Sequence, residues 1–388
     1  HATRSAPSMA PNNALGKPTA AKLRAKVEGQ AAETPAADPR IAAADSFGAG
    51  DTSVLSKDEV TSRGVGTLVR TPIDEFMERP RDELRSFFTG MMFLTRLPCP
   101  GWCDHHPGYL MRGMAWFPLL GALVGVWAAA IYDAAASLWP PLVAAALSAG
   151  GTLWLTGCFH EDGLCDTLDG FGGGWTRSQI MRIMRDSRNG SYATMGGCLW
   201  VVAKAASLAR LGELAGPAGS VWALGGSVGA GPAIIVGQCV ARASSAPLIY
   251  FYEYIVDDED AKGEYYNWFG ESRRLLGPWR VGASSASAAA VAFALLPPAA
   301  AAGALCTTVV GTAVAGAYGH SILGGVMGDY LGASICLIEL AIYLSLGADL
   351  TRLAPGRLAW LAAVLALPQA YGRWARGPQQ ARPADKEC

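Results

Sequence analysis

The chain has 388 residues, of which 51% are hydrophobic and only 16% charged, with a formal net charge of −1. Soluble domains carry about 25% charged residues, so the composition excludes an ordinary soluble enzyme. The near-neutral balance, with no basic stripe interleaved with aromatics, excludes nucleic acid as a partner. Nine cysteines, none in a CxxC pair, argue against a disulfide framework.

Residues 1–85 are rich in Ala, Pro, Ser and Thr and have no apolar period. Arg4, Lys17, Lys22, Arg24 and Lys26 all precede the first acid, Glu28. A basic, acid-free, Ser- and Ala-containing start is expected of an organellar transit peptide, so this stretch is set apart as a disordered N-terminal extension. Residues 86–350 then form a membrane-embedded domain, and 351–388 a last span and polar tail. Apolar blocks of the length needed to cross a bilayer fall at 114–132, 138–159, 194–214, 221–249, 281–298, 299–318, 332–347 and 357–371. These runs are too long and too uniform for strands of a barrel. The expected fold is all-α: a polytopic transmembrane helix bundle of about six to eight spans. Pro297-Pro298 divides two adjacent runs, so the count there is open by one or two. A homo-oligomer is allowed but not required.

The connections differ in charge. The one from 160 to 192 carries Arg177, Arg182, Arg185 and Arg188, which places it on the cytoplasmic, stromal or matrix side. With the extension, this suggests a multi-pass protein of a plastid or mitochondrial inner membrane, or otherwise of a bacterial-type inner membrane. The loop from 250 to 280, with Asp257-Asp258-Glu259-Asp260, reads as a solvated connection.

The chemistry concentrates directly after the second apolar run, in Phe159-His160-Glu161-Asp162-Gly163-Leu164-Cys165-Asp166-Thr167-Leu168-Asp169-Gly170. Carboxylates at a membrane edge are costly and need a compensating cation or a function. Asp162, Asp166 and Asp169 stand at i, i+4 and i+7, on one face of a helix. Three such groups repel one another unless a divalent ion sits between them, and oxygen-only ligands favour Mg²⁺, Mn²⁺ or Ca²⁺. The competing reading is a solvated loop. Further on, Ile180, Ile183 and Met184 suggest a short amphipathic helix at the membrane interface. It leads into Arg185-Asp186-Ser187-Arg188-Asn189-Gly190. Arginine forks beside an acidic metal site suit a diphosphate. Within or beside the spans lie Asp329 and Glu339, with Lys204 and Arg242 as basic counterparts; buried ionisable residues of this kind are functional candidates. There is no GxSxG, Walker A or GxGxxG pattern to support hydrolase, ATPase or dinucleotide chemistry.

These residues resemble one family, cobalamin synthase (adenosylcobinamide-GDP ribazoletransferase). Phe93-Leu94-Thr95-Arg96-Leu97-Pro98 is similar to its opening motif, and Arg112, Phe117-Pro118, Gly121 and Gly125 to its first span. The acidic segment, Ile183-Met184-Arg185-Asp186-Ser187-Arg188 with Gly190, and Gly324-Gly325 with Gly328-Asp329 and Leu331-Gly332-Ala333 follow in the family's order. Cys165, Asn189, Ala193 and Met327 depart from it without removing a carboxylate. The resemblance implies that α-ribazole, or its 5′-phosphate, attacks adenosylcobinamide-GDP to give adenosylcobalamin, or its 5′-phosphate, and GMP. It implies Mg²⁺ held by Asp162, Asp166 and Asp169, with Arg185, Ser187 and Arg188 on phosphate oxygens. Asp166 or Asp186 would act as base, and His160 and Glu161 would support the ligands. Two rivals are a Mg²⁺-dependent CDP-alcohol phosphotransferase and a transporter with a carboxylate ion path. The first usually has an Ala-Arg pair after its first Asp-Gly, where Leu164-Cys165-Asp166 stands here. The second calls for acids dispersed through the spans.

Overall fold

The computed structural model describes residues 83–103, 107–215, 228–255 and 272–349, all within the unit Thr71–Cys388. Residues 1–82, the run 257–260 and the expected span at 357–371 lie outside the described residues. α1 (Glu83–Leu94), α2 (Pro107–Gly113) and a 3-10 turn (Met114–Trp116) lead into α3 (Phe117–Ala136). α4 (Pro141–Thr156), α5 (Phe159–Gly173), α6 (Arg177–Met184) and α7 (Ser191–Ala215) follow. The chain continues through α8 (Ala230–Arg242), α9 (Ser245–Phe251), α10 (Ser272–Leu295), α11 (Pro298–Leu323) and α12 (Gly328–Gly347).

Four described stretches are long and apolar enough to cross a membrane: Gly108–Ala136, Ala230–Phe251, Pro298–Leu323 and Gly328–Gly347. α4 and α5 together would make a fifth, but they are bent through 93°. Among the described residues the count is thus four, or five with the bent pair, and the expected span at 357–371 lies outside them. α7 and α10 have the length but are less apolar, since they carry Lys204 and Arg210, and Arg273, Arg274 and Arg280.

Proline sets several boundaries. Pro141 opens α4 and Pro298 opens α11, where a missing backbone N–H costs nothing because the first turn has no intrahelical acceptor. Within α10, Gly277 adopts φ 64° ahead of Pro278 and kinks the helix. One apolar core gathers Leu94, Met111, Phe117, Leu248 and Leu276. Another is built largely of alanines, including Ala128, Ala129, Ala144 and Ala145, with Leu208 and Tyr343. Small side chains let helix axes approach where lipid supplies no hydrophobic drive.

One ion pair ties the entry helix to the kinked one. Arg280 Nη2 lies 2.6 Å from Glu83 Oε1, and Trp116 Nε1 donates to the other oxygen at 3.3 Å. The Arg280 side chain is buried, and its guanidinium also covers the Trp279 ring at 4.5 Å. Arg280→Met is expected to cost about 1–3 kcal/mol, as loss of a buried partner does, and Glu83→Gln less. Thermal unfolding in detergent measures this; an unchanged midpoint in Arg280→Met would show that the pair contributes nothing.

Candidate active site

The site begins at the break between α4 and α5. Gly157 (φ 67°) and Cys158 (φ 61°) both take the left-handed conformation, which ends α4 and turns the chain through 93°. α5 thus runs across the end of α4 instead of continuing its axis. Glu161 and Asp162 stand in its first turn, where the helix dipole favours negative charge.

α5 has two faces. His160, Gly163, Leu164, Thr167 and Gly170 are buried. Asp162 is exposed, and Asp166 and Asp169 are half-buried. The spacing expected to align three carboxylates is helical, but the three are not equivalent. Gly163 packs on the backbone of Asp329 in the first turn of α12; a Cβ at 163 would lie 2.6 Å from the Asp329 carbonyl oxygen. The segment after α9 secures the approach to Asp329. Val326 N donates to Glu253 O and Ile255 N to Val326 O, each at 2.8 Å. Asp329 is brought beside Asp162 and Asp166 in this way. Burial first, then the charges of Asp162, Asp329 and Asp169, push Asp166 up to about 7.

Asp169 faces the other way. Its Oδ2 accepts from Gly190 N, and its Oδ1 from Ala193 N at 2.9 Å. In the loop between α6 and α7, the Arg188 guanidinium grips Asp186 through Nε at 2.9 Å and Nη2 at 2.6 Å. Those hydrogen bonds hold Asp186 down at about 2. The Arg188 side chain is otherwise 86% exposed, and Arg185 and Ser187 are exposed beside it. The short helix α6 was expected to rest on lipid through Ile180, Ile183 and Met184. Instead Ile180, Met181 and Met184 are buried against Leu323 and Ile255, so protein occupies that face and only Ile183 is half-buried.

Beneath α5, three helices, α7, α8 and α12, meet in a buried polar network that reaches His160 of α5. Glu339 Oε1 accepts from Lys204 Nζ at 2.8 Å, Gln238 Nε2 at 2.7 Å and Tyr343 Oη at 2.9 Å. Gln238 Oε1 accepts from Arg242 Nη1, and Arg242 Nη2 reaches His160 Nδ1 at 3.5 Å. Lys204 also lies over the Trp200 ring at 4.7 Å. Lys204, Gln238, Arg242, His160 and Glu339 are each no more than 3% exposed. Glu161 stands at the edge, with its Oε2 buried and without a hydrogen-bond partner.

The structure therefore places Asp162, Asp166 and Asp329 together, joins Asp169 to the end of the arginine loop, and gathers His160, Lys204, Arg242 and Glu339 underneath. Gln238 and Tyr343 were not foreseen. Each stands four residues from a buried charge, Arg242 and Glu339 respectively, and that spacing inside an apolar run was the available signal.

Among the described residues, no group of three or more His, Cys, Asp or Glu side chains converges to hold a metal ion. The donors still fit a magnesium ion, which keeps several waters and needs only one or two carboxylates plus substrate phosphates. The raised Asp166 is the mark of carboxylates left without a compensating charge. Asp162 and Asp166 are the residues able to hold the ion.

Fold and site define a multi-pass α-helical membrane protein in which an acidic helix lies beside an arginine-bearing loop. The family description Cobalamin-5-phosphate synthase matches residues 86–347, and the chain belongs to that family. A Leptothrix cholodnii protein named adenosylcobinamide-GDP ribazoletransferase is 37% identical over 273 residues, covering 68% of this chain and 94% of the relative. A Shewanella oneidensis protein of the same name is 39% identical over 182 residues, covering 47% of this chain and 65% of the relative. No solved structure matches.

Lys204→Met should leave Glu339 buried without its cation and cost about 3–5 kcal/mol. Adding Glu339→Gln should restore much of that loss. If the double variant is no more stable in detergent than Lys204→Met alone, the two residues do not act as a pair.

Proposed function

We propose that this protein transfers the cobinamide phosphate of adenosylcobinamide-GDP to α-ribazole, or to α-ribazole 5′-phosphate, releasing GMP. The observation that carries the reading is the acidic helix α5, with Asp162 and Asp166 near Asp329 and with Asp169 bonded to the end of the Arg185–Arg188 loop, in a chain of this family. The 3′-hydroxyl of the ribazole forms a new P–O bond at the cobinamide-linked phosphorus. The bond from that phosphorus to the bridging oxygen breaks, and GMP leaves with the electron pair. Such a displacement asks the protein mainly for positioning and charge neutralisation.

Arg185 and Arg188, with Ser187 between them, hold non-bridging phosphate oxygens. Arg188 is preset by Asp186, which fixes the plane of its fork. Of the two carboxylates expected as base, Asp186 is a poor proton acceptor because Arg188 holds it at about 2. That leaves Asp166 as the carboxylate to accept the hydroxyl proton, in a state in which Asp162 alone holds the ion. Asp162, with Asp166 as the other available ligand, would hold magnesium, which would supply Lewis-acid neutralisation of the diphosphate charge. His160 and Glu161, in the first turn of α5, seat that helix on the buried network, His160 through Arg242. We place the protein in an inner membrane of a plastid or mitochondrion, on the strength of the acid-free, basic stretch before Glu28.

Membranes containing the full chain, given adenosylcobinamide-GDP, α-ribazole and Mg²⁺, should release GMP and form adenosylcobalamin in equal amounts. Asp166→Asn should lower the rate by about 100-fold or more. Well-folded protein that forms neither product would refute the assignment, and release of CMP from a CDP-alcohol would favour the lipid phosphotransferase. Fused to a fluorescent reporter, residues 1–85 should direct it to an organelle; a cytosolic reporter would remove the organellar placement.

A further inference from the structure

The sequence puts Asp169 in register with Asp162 and Asp166, so all three present themselves as ligands of one ion. The hydrogen bonds separate them. Both oxygens of Asp169 are engaged by backbone N–H groups at the start of α7: Gly190 N on Oδ2 and Ala193 N on Oδ1. These belong to the first turn, whose N–H groups have no intrahelical acceptor. Asp169 thus caps α7 from 21 residues earlier in the chain, and the positive end of that helix faces its charge.

The far side of Gly190 is fixed as well. Its carbonyl oxygen accepts from Thr194 N at 3.1 Å and from Thr194 Oγ1 at 2.8 Å. A Cβ on Gly190 would lie 2.7 Å from Asp169 Oδ1, so an alanine there would force the carboxylate or the loop to shift. Gly190 stands two residues after Arg188. The contact therefore fixes where the arginine loop ends relative to the carboxylates on α5. Asp162 and Asp166 face Asp329 instead.

We propose that Asp169 is a positioning residue, not an ion ligand. It is the strut that holds the Arg185–Arg188 loop over the acidic helix, so that one diphosphate can meet both. This rests on the phosphate-transfer reading above. Geometry that brings two halves of a site together is worth a large factor in rate or binding, because a displacement of about 1 Å costs about 100-fold.

The test uses the full-length protein in detergent, with Mn²⁺ bound alone as a spin probe and GMP as the phosphate probe. Asp169→Asn loses one acceptor, and Gly190→Ala pushes the loop away from the other side of the same contact. Both variants should keep Mn²⁺ affinity within about twofold, while Asp162→Asn loses it. Both should weaken GMP binding and raise KM for adenosylcobinamide-GDP by about 10–100-fold, with a smaller fall in kcat. The double variant should be no worse than either single one, since a single contact is removed. Loss of Mn²⁺ binding in Asp169→Asn, to the degree seen in Asp162→Asn, would overturn the proposal in favour of a third ligand. Unchanged GMP affinity in both variants would also overturn it. If the unaltered protein releases no GMP from adenosylcobinamide-GDP while Asp169→Asn still weakens GMP binding, the transfer reaction fails and the strut stands.

Discussion

The molecule depends on one carboxylate oxygen. Glu339 Oε1 takes hydrogen bonds from Lys204, Gln238 and Tyr343, and so unites α7, α8 and α12 at a depth where water is excluded. An isolated charge there would be prohibitive, and an unmatched pair nearly so. Saturating the carboxylate with one cation and two neutral donors makes the burial tolerable. It also gives those three helices one mutual arrangement, because no other packing satisfies all the donors at once. Arg242 extends the constraint to His160, the second residue of α5. The acidic helix is therefore seated on a rigid polar base, although its own upper face is charged and open.

That seating explains why a perpendicular helix can exist at the end of a bundle. Two consecutive left-handed residues, one of them Cys158, are unfavourable in isolation. Two close contacts hold the turn in place, Gly163 on Asp329 and Gly332 on the backbone of His160. The short parallel bridge from Tyr254 to Val326 keeps the start of α12 in position for the first of these. Local strain and tertiary contact are thus coupled at the place where the carboxylates meet.

Much of this was legible in sequence. The spacing of Asp162, Asp166 and Asp169 announced a helical face, and Pro297-Pro298 announced a division between two apolar runs, which the start of α11 at Pro298 fits. Buried ionisable residues in apolar runs pointed to Lys204, Arg242 and Glu339. What sequence spacing could not show is which groups meet across long separations. Asp329 joins Asp162 from a helix more than a hundred and fifty residues away, and Asp169 turns toward Gly190 despite its register with the other two. The apolar face of α6 illustrates the same limit. Periodicity shows that Ile180 and Met184 need cover, but cannot distinguish lipid from Leu323 and Ile255.

The length of α12 has a consequence for where a reaction could take place. Its 20 residues rise about 30 Å, close to the thickness of the hydrocarbon layer. Were α12 to cross that layer from end to end, Asp329, the second residue of the helix, would come at its boundary. A reactant with a large body and a charged diphosphate would meet the carboxylates at an interface and not in open solution. Its search would be confined to two dimensions, and its charged end would stay hydrated until the arginine loop received it. A membrane protein with a site at this depth works as a surface catalyst: its effective substrate concentration is set by partition into the lipid boundary more than by the amount dissolved in the surrounding water.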